Sequence, residues 1–142
     1  MHKFHLEQAP LALCLTIQPM GTDICAHLFG GTRSPNQEQL CGGHVGAVAL
    51  ALPRPSKRGT GENSASVSLL TVPGHQEDLL TRQLALLLAR HTGTTVVLVC
   101  GIHVDAATPD IIHNLENMAY TLVQNALTYF EMHPQKDVPC CN

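Results

Sequence analysis

The run Thr95-Val-Val-Leu-Val-Cys100 constrains the fold more than any other stretch of this chain. It is uncharged and rich in β-branched residues, the composition of a strand buried on both faces. It leads directly into Gly101-Ile-His-Val-Asp-Ala-Ala-Thr-Pro-Asp110, where Thr108 reads as a helix N-cap, Pro109 as the first helical residue and Asp110 as a first-turn acid. His103 and Asp105 therefore fall between the carboxyl end of a strand and the amino end of a helix. Backbone N–H groups at such an end lack helical partners and carry partial positive charge, which suits a phosphate or carboxylate ligand. The competing reading is a connecting loop whose His and Asp bond their own backbone.

The rest of the chain supplies more strands. Residues 11–18 alternate Leu11, Leu13, Leu15 and Ile17 with Ala12, Cys14, Thr16 and Gln18, the period of a half-buried strand. A turn at residues 19–22 joins it to a second strand over 23–29, forming a hairpin. That strand ends in Gly30-Gly31-Thr32-Arg33-Ser34-Pro35, either a flexible loop or a place where backbone N–H groups and Arg33 close on an anion. Gly42-Gly43-His44-Val45-Gly46 opens a third strand over 45–52, whose small residues allow close packing. A polar, Pro/Gly-rich loop over 53–64 leads to a fourth strand over 65–72, which ends in Pro73-Gly74-His75-Gln76-Glu77-Asp78. Leu80, Leu84, Leu87 and Leu88 form a helical stripe over 78–91 that Gly93 caps. The last helix, 109–132, has two stripes, one with Leu115, Met118 and Leu122, the other with Ala119, Val123 and Leu127. So wide an apolar arc predicts burial against both the sheet and a partner subunit.

The order ββββαβα predicts an α/β two-layer domain, a mostly antiparallel five-stranded sheet covered by two helices. With 142 residues a single domain is expected, ordered over about 10–132, with a flexible loop at 53–64 and a flexible tail at 133–142. Charged residues make up only 13% against 44% hydrophobic, so neutral groups or another subunit must cover the surface, and a homo-oligomer is expected. The net charge of −3, with no basic run longer than Lys57-Arg58, argues against nucleic acid. The six cysteines show no zinc-ribbon or thioredoxin spacing and read as free thiols in a reducing cytosol. No segment has the apolar core of a signal peptide or the length of a membrane span, so a cytoplasmic protein is expected.

His44, His75 and His103 each stand beside glycine at a strand end, together with Arg33 and Asp105. If they meet, three chemistries compete. A divalent metal suits three His and an Asp, but no H-x-x-x-H or H-x-H spacing supports it, and no metal ligand is assigned. Nucleophilic catalysis suits a His–Asp pair, but no nucleophile elbow is present. The glycines, Arg33 and the helix start favour a phosphorylated cofactor such as a flavin nucleotide.

Four motifs in this order, Gly30-Gly31-x-x-x-Pro35, Gly43-His44-Val45-Gly46, Pro73-Gly74-His75-x-x-Asp78 and Gly101-Ile102-His103-Val104-Asp105-x-x-Thr108, resemble the LpdD-like prenylated flavin chaperones. These small proteins accompany gallate and other hydroxybenzoate decarboxylases of the UbiD class. The likeness covers residues 11–130, and Gly-Ile-His-Val-Asp is its most specific part. It implies a fold like that of the small proteasome-assembly chaperones. It also implies a homodimeric, non-catalytic chaperone that binds prenylated FMN, or FMN, and assists its delivery to, or maturation in, a UbiD-type decarboxylase of aromatic acid metabolism. Flavin prenyltransferase is a further partner on this reading. The cofactor contacts are then Gly30, Gly31, Arg33, His44, Gly46, His75, His103, Asp105 and Thr108. The phosphate lies near Gly30, Gly31 and Arg33 or at the Thr108 helix start, and the ring system near the three His, with Asp105 orienting His103. Two other classes stay open: a non-catalytic subunit of a decarboxylase complex, and a small metal-dependent enzyme.

Overall fold

Period-two patterns at the start of the chain and period-3.6 patterns after residue 78 become six strands and two helices. The computed structural model describes residues 1–33, 43–56, 63–104 and 106–133. The elements are β1 (His2–Gln8), β2 (Leu11–Met20), β3 (Asp23–Thr32), β4 (Ala47–Pro55), β5 (Asn63–Thr71), α1 (Asp78–Thr92), β6 (Val96–His103) and α2 (Pro109–Met132). They form one mixed sheet in the order β1-β2-β3-β6-β4-β5. Only the β3–β6 pair is parallel; the other four are antiparallel. The apolar run at 95–100 thus forms the strand that joins the β1–β3 meander to the β4–β5 hairpin.

Both helices cover the same face. Its rows are Leu13, Leu15 and Ile17 of β2, Ala26 and Leu28 of β3, Val96, Leu98 and Cys100 of β6, and Ala49 and Ala51 of β4, all almost fully buried. Leu80, Leu84 and Leu88 of α1 and Leu115, Met118 and Leu122 of α2 close the core from above. The small residues of β4 let α1 approach the sheet closely, as the Ala-rich pattern predicts. Cys100 contributes a small apolar group here, and burial pushes its thiol up to about 12, with the Glu77 carboxylate adding to the rise. Cys14, Cys25 and Cys100 are free thiols, as expected.

The helix ends follow their sequence signals. Thr108 accepts a hydrogen bond from the Ile111 N–H at 3.3 Å, with Pro109 as the first helical residue. Gly93 ends α1 in the left-handed conformation at φ 67° and donates its N–H to the Ala89 carbonyl.

Four expectations need correction. The sheet has six strands, because His2–Gln8 pairs along its whole length with β2. Order therefore begins well before residue 10. Gly30 and Gly31 do not form a loop; they lie inside β3, which runs on to Thr32. The strands on either side of the 53–64 segment reach Pro55 and resume at Asn63, so residues 53–55 and 63–64 belong to strands rather than to a loop; residues 57–62 lie outside the described residues, as do 134–142. Finally, both stripes of α2 are used within the chain: Leu115, Met118, Ala119, Leu122, Val123, Ala126 and Leu127 are all buried against the sheet and α1. On this helix Ile112 and Met132 remain exposed. On the other side of the sheet Leu50, Leu52 and Leu70 are exposed.

Candidate functional site

The carboxyl ends of β3, β5 and β6 and the start of β4 lie along one edge of the sheet. Register places Gly31 beside His103 and Ala47 beside both Cys100 and Thr71. The strand entry 43–46, the turn 72–77 and the exit of β6 therefore converge. The Gly46 N–H donates to the Cys100 carbonyl at 2.8 Å and its own carbonyl accepts from Val72 N–H at 2.8 Å, which ties the three segments together. Glycine is required at two of these contacts. A Cβ on Gly101 would lie 1.7 Å from the His44 carbonyl oxygen, and one on Gly46 would lie 2.6 Å from Glu77 Oε2.

Within this frame His44 Nε2 and His75 Nδ1 stand 3.1 Å apart. The Glu77 carboxylate faces both rings, with Oε1 at 3.6 Å from His44 Nε2 and Oε2 at 3.5 Å from His75 Nδ1. The Glu77 side chain is 12% exposed, against 28% for His44 and 32% for His75. Oε1 accepts the Ile102 N–H at 3.1 Å, which fixes the carboxylate on the end of β6. Oε2 is buried with no hydrogen-bond partner. The His103 ring stands edge-on to His44, with centroids 6.2 Å apart. The three histidines read from separate motifs thus meet.

The other expected contacts are distributed differently. Gly30 and Gly31 have φ 139° and 135°, and added Cβ atoms would strike the backbone of Ala12 and His103. Their visible role is close strand packing. Arg33 lies beyond β3 and pairs with Glu7 at 2.7 Å across the end of β1, bordering an open hollow with Ala9, Pro10 and Leu11. Its charge is already paired, on the far side of β3 from the histidines. The Thr108 hydroxyl is occupied as N-cap. Gly46 serves the cluster by leaving room for the Glu77 carboxylate. Asp105 lies outside the described residues.

Glu77 was missed. It stands two residues after His75 and immediately before α1, where an acid reads as helix-start electrostatics. Its side chain makes no capping bond, however, and turns to the histidines instead. The His75-x-Glu77 spacing was the available signal.

A mixed six-stranded sheet with two helices on one face and a His-rich group at the strand ends defines a small two-layer α/β domain. The fold is that of the small proteasome-assembly chaperones. It is similar to a chain of the crystal structure titled "Crystal Structure of a Novel Chaperone Complex for Yeast 20S Proteasome Assembly", at a TM-score of 0.50 and 13% identity, covering 92% of this chain and 94% of that one. Among curated proteins nothing matches. The chain belongs to the prenylated flavin chaperone LpdD-like domain family, whose model matches residues 7–131. Membership bears out the resemblance read from the four glycine and histidine motifs. Among the described residues no helix is long and apolar enough to cross a membrane.

Proposed function

We propose that this protein binds prenylated flavin mononucleotide and hands it to a UbiD-type decarboxylase of aromatic acid metabolism, without catalysing a reaction itself. The observation that carries this reading is the meeting of His44, His75 and His103 at one edge of the sheet, in a chain of the prenylated flavin chaperone family. Imidazoles offer both ring faces and hydrogen-bonding nitrogens to an isoalloxazine. The phosphate goes to the flanks of His103, between the Thr108 start of α2 and Arg33, which must then exchange Glu7 for it. Asp105 orients His103, and flavin prenyltransferase supplies the cofactor.

The protein works as a homodimer in the cytoplasm. Support for the dimer comes from the helix-free face of β5, β4 and β6, where register aligns Leu70 with Val48 and Val99, Leu50 with Ser68 and Val97, and Leu52 with Ser66. The Leu70 and Leu50 rows carry no charged residue, and the Arg54 guanidinium at the border of the Leu52 row is held by Ser66 Oγ, so a second copy can cover the apolar rows while Arg54 stays at the rim.

The test is the absorption spectrum of the protein purified after expression with and without a flavin prenyltransferase, followed by mixing with the apo decarboxylase. Flavin absorbance that depends on the prenyltransferase, and decarboxylation restored on mixing, are expected. A colourless protein from both expressions overturns the reading.

A further inference from the structure

We infer that His44, His75 and Glu77 form a binding site for one divalent first-row transition-metal ion. Sequence spacing spoke against a metal because no two of the three histidines stand at H-x-H or H-x-x-x-H offsets, and only His75-x-Glu77 has a strand spacing. The structure instead draws the ligands from two separate segments, the β4 entry and the β5–α1 turn, onto the end of β6.

Donor spacing carries the inference. Metal–nitrogen and metal–oxygen bonds of about 2.0–2.2 Å place neighbouring ligand atoms roughly 2.8–3.6 Å apart, from octahedral to tetrahedral geometry. The ring nitrogens of His44 and His75 are 3.1 Å apart, and they stand respectively 3.6 Å from Oε1 and 3.5 Å from Oε2 of the one carboxylate, so a donor from each of the three residues lies within 4.8 Å of the others. Hydrogen bonding accounts for the arrangement poorly. One proton serves the His44–His75 contact, but the carboxylate oxygens stand well beyond the roughly 2.7–2.9 Å of a charge-assisted bond to either ring. Glu77 Oε2 meanwhile remains buried and unpartnered, at a free-energy cost that a cation between the three groups removes.

The supports around the site fit the same purpose. Ile102 N–H holds Oε1, and the missing Cβ of Gly46 makes room for Oε2, so the carboxylate is oriented before a ligand arrives. Two imidazoles and one carboxylate favour iron, cobalt or zinc over calcium or magnesium, which prefer oxygen. Three protein ligands leave at least one coordination position for water or an anionic oxygen of a bound molecule. The site rests on these distances and on the unpartnered Oε2, and goes beyond the flavin reading.

The experiment uses the full chain without a histidine tag, stripped with chelator, loaded with Co2+ and desalted, with metal counted by mass spectrometry and the visible cobalt spectrum recorded. Wild type is expected to retain about one ion per chain, as is His91→Ala, a histidine at the far end of α1. Glu77→Gln, whose amide oxygen still accepts from Ile102, and His75→Ala are each expected to bind at least tenfold more weakly, with circular dichroism unchanged. Should one variant misfold, the other decides. Failure of wild type to retain cobalt overturns the site, as does equal retention by both folded variants. Neither result bears on the flavin reading, which the prenyltransferase-dependent absorbance decides separately.

Discussion

Replacing Leu50 with Asp separates association from folding. Leu50, Leu52 and Leu70 are 40%, 45% and 75% exposed on the helix-free face. Full burial of a Leu side chain contributes about 1.5–3 kcal/mol, so covering what these three still expose contributes about 2–5 kcal/mol per protomer and about twice that per dimer. This is comparable with the estimated 4–15 kcal/mol that association costs in lost freedom, so the face stands near the threshold of a stable dimer. Leu50→Asp removes part of that gain and places one carboxylate per protomer in the contact, each costing several kcal/mol to desolvate. With every 1.4 kcal/mol worth tenfold in affinity, the dimer is lost at working concentrations. The monomer tolerates the change, because the position is partly open to water and β-propensity spans only about 1 kcal/mol. Leu122→Asp behaves differently. That side chain is 0% exposed inside the chain's own core, so the loss of packing, about 2–5 kcal/mol, adds to the cost of a buried charge and approaches the typical 5–15 kcal/mol of a whole domain. Light scattering with circular dichroism should show a dimer for wild type, a folded monomer for Leu50→Asp and an unfolded or aggregated Leu122→Asp. A dimer of Leu50→Asp as stable as wild type would refute the assignment of this face.

Gly31→Ala puts a Cβ onto the His103 carbonyl at a φ of 135°, combining overpacking and backbone strain of about 2–6 kcal/mol; urea denaturation should show the loss, and a midpoint like wild type would mean that β3 and β6 separate easily. Burial holds the His27 imidazole below its ordinary pKa, so the unfolded chain takes up protons that the native chain refuses. Stability should fall as pH drops below 6.5, and His27→Leu should flatten that slope; parallel slopes would argue against the role of burial. Arg33→Ala should weaken prenylated flavin mononucleotide binding more than binding of a phosphate-free analogue while costing under about 1 kcal/mol of stability, since the exposed Glu7 pair contributes little; equal losses for the two ligands would remove Arg33 from the phosphate site.

Elements marked by strong local chemistry were legible in the sequence. Thr108-Pro109 and Gly93 marked helix ends to the residue, and the alternation of 11–18 marked β2. β1 was not, because Lys3, His5 and Glu7 alternate with only Phe4 and Leu6 as large apolar residues, and a polar edge strand needs a neighbour to define it. Gly30-Gly31 read as a loop because glycine leaves a strand for one of two reasons, turning or close approach, and only the positions of Ala12 and His103 show that it is the second. The width of the apolar arc on α2 was correctly read, and most of it packs on the sheet and α1. The meeting of the three histidines depended on register between distant strands, which no local pattern carries. Glu77 escaped because an acid before a helix already has an ordinary explanation.

The central position of β6 bears on the order in which the molecule is made. The meander β1–β3 and the hairpin β4–β5 share no strand until Val96–His103 inserts between them, pairing in parallel on one side and antiparallel on the other. A nascent chain can form two local sheets early, yet it cannot join them before its last strand has emerged. Ile102, which anchors Glu77, belongs to that strand, so His44, His75 and Glu77 wait through most of synthesis for the backbone amide that fixes their geometry. The site is therefore among the last parts of the protein to acquire its shape, and a chain truncated before residue 96 lacks the strand that brings the meander and the hairpin together and so has no binding geometry at all.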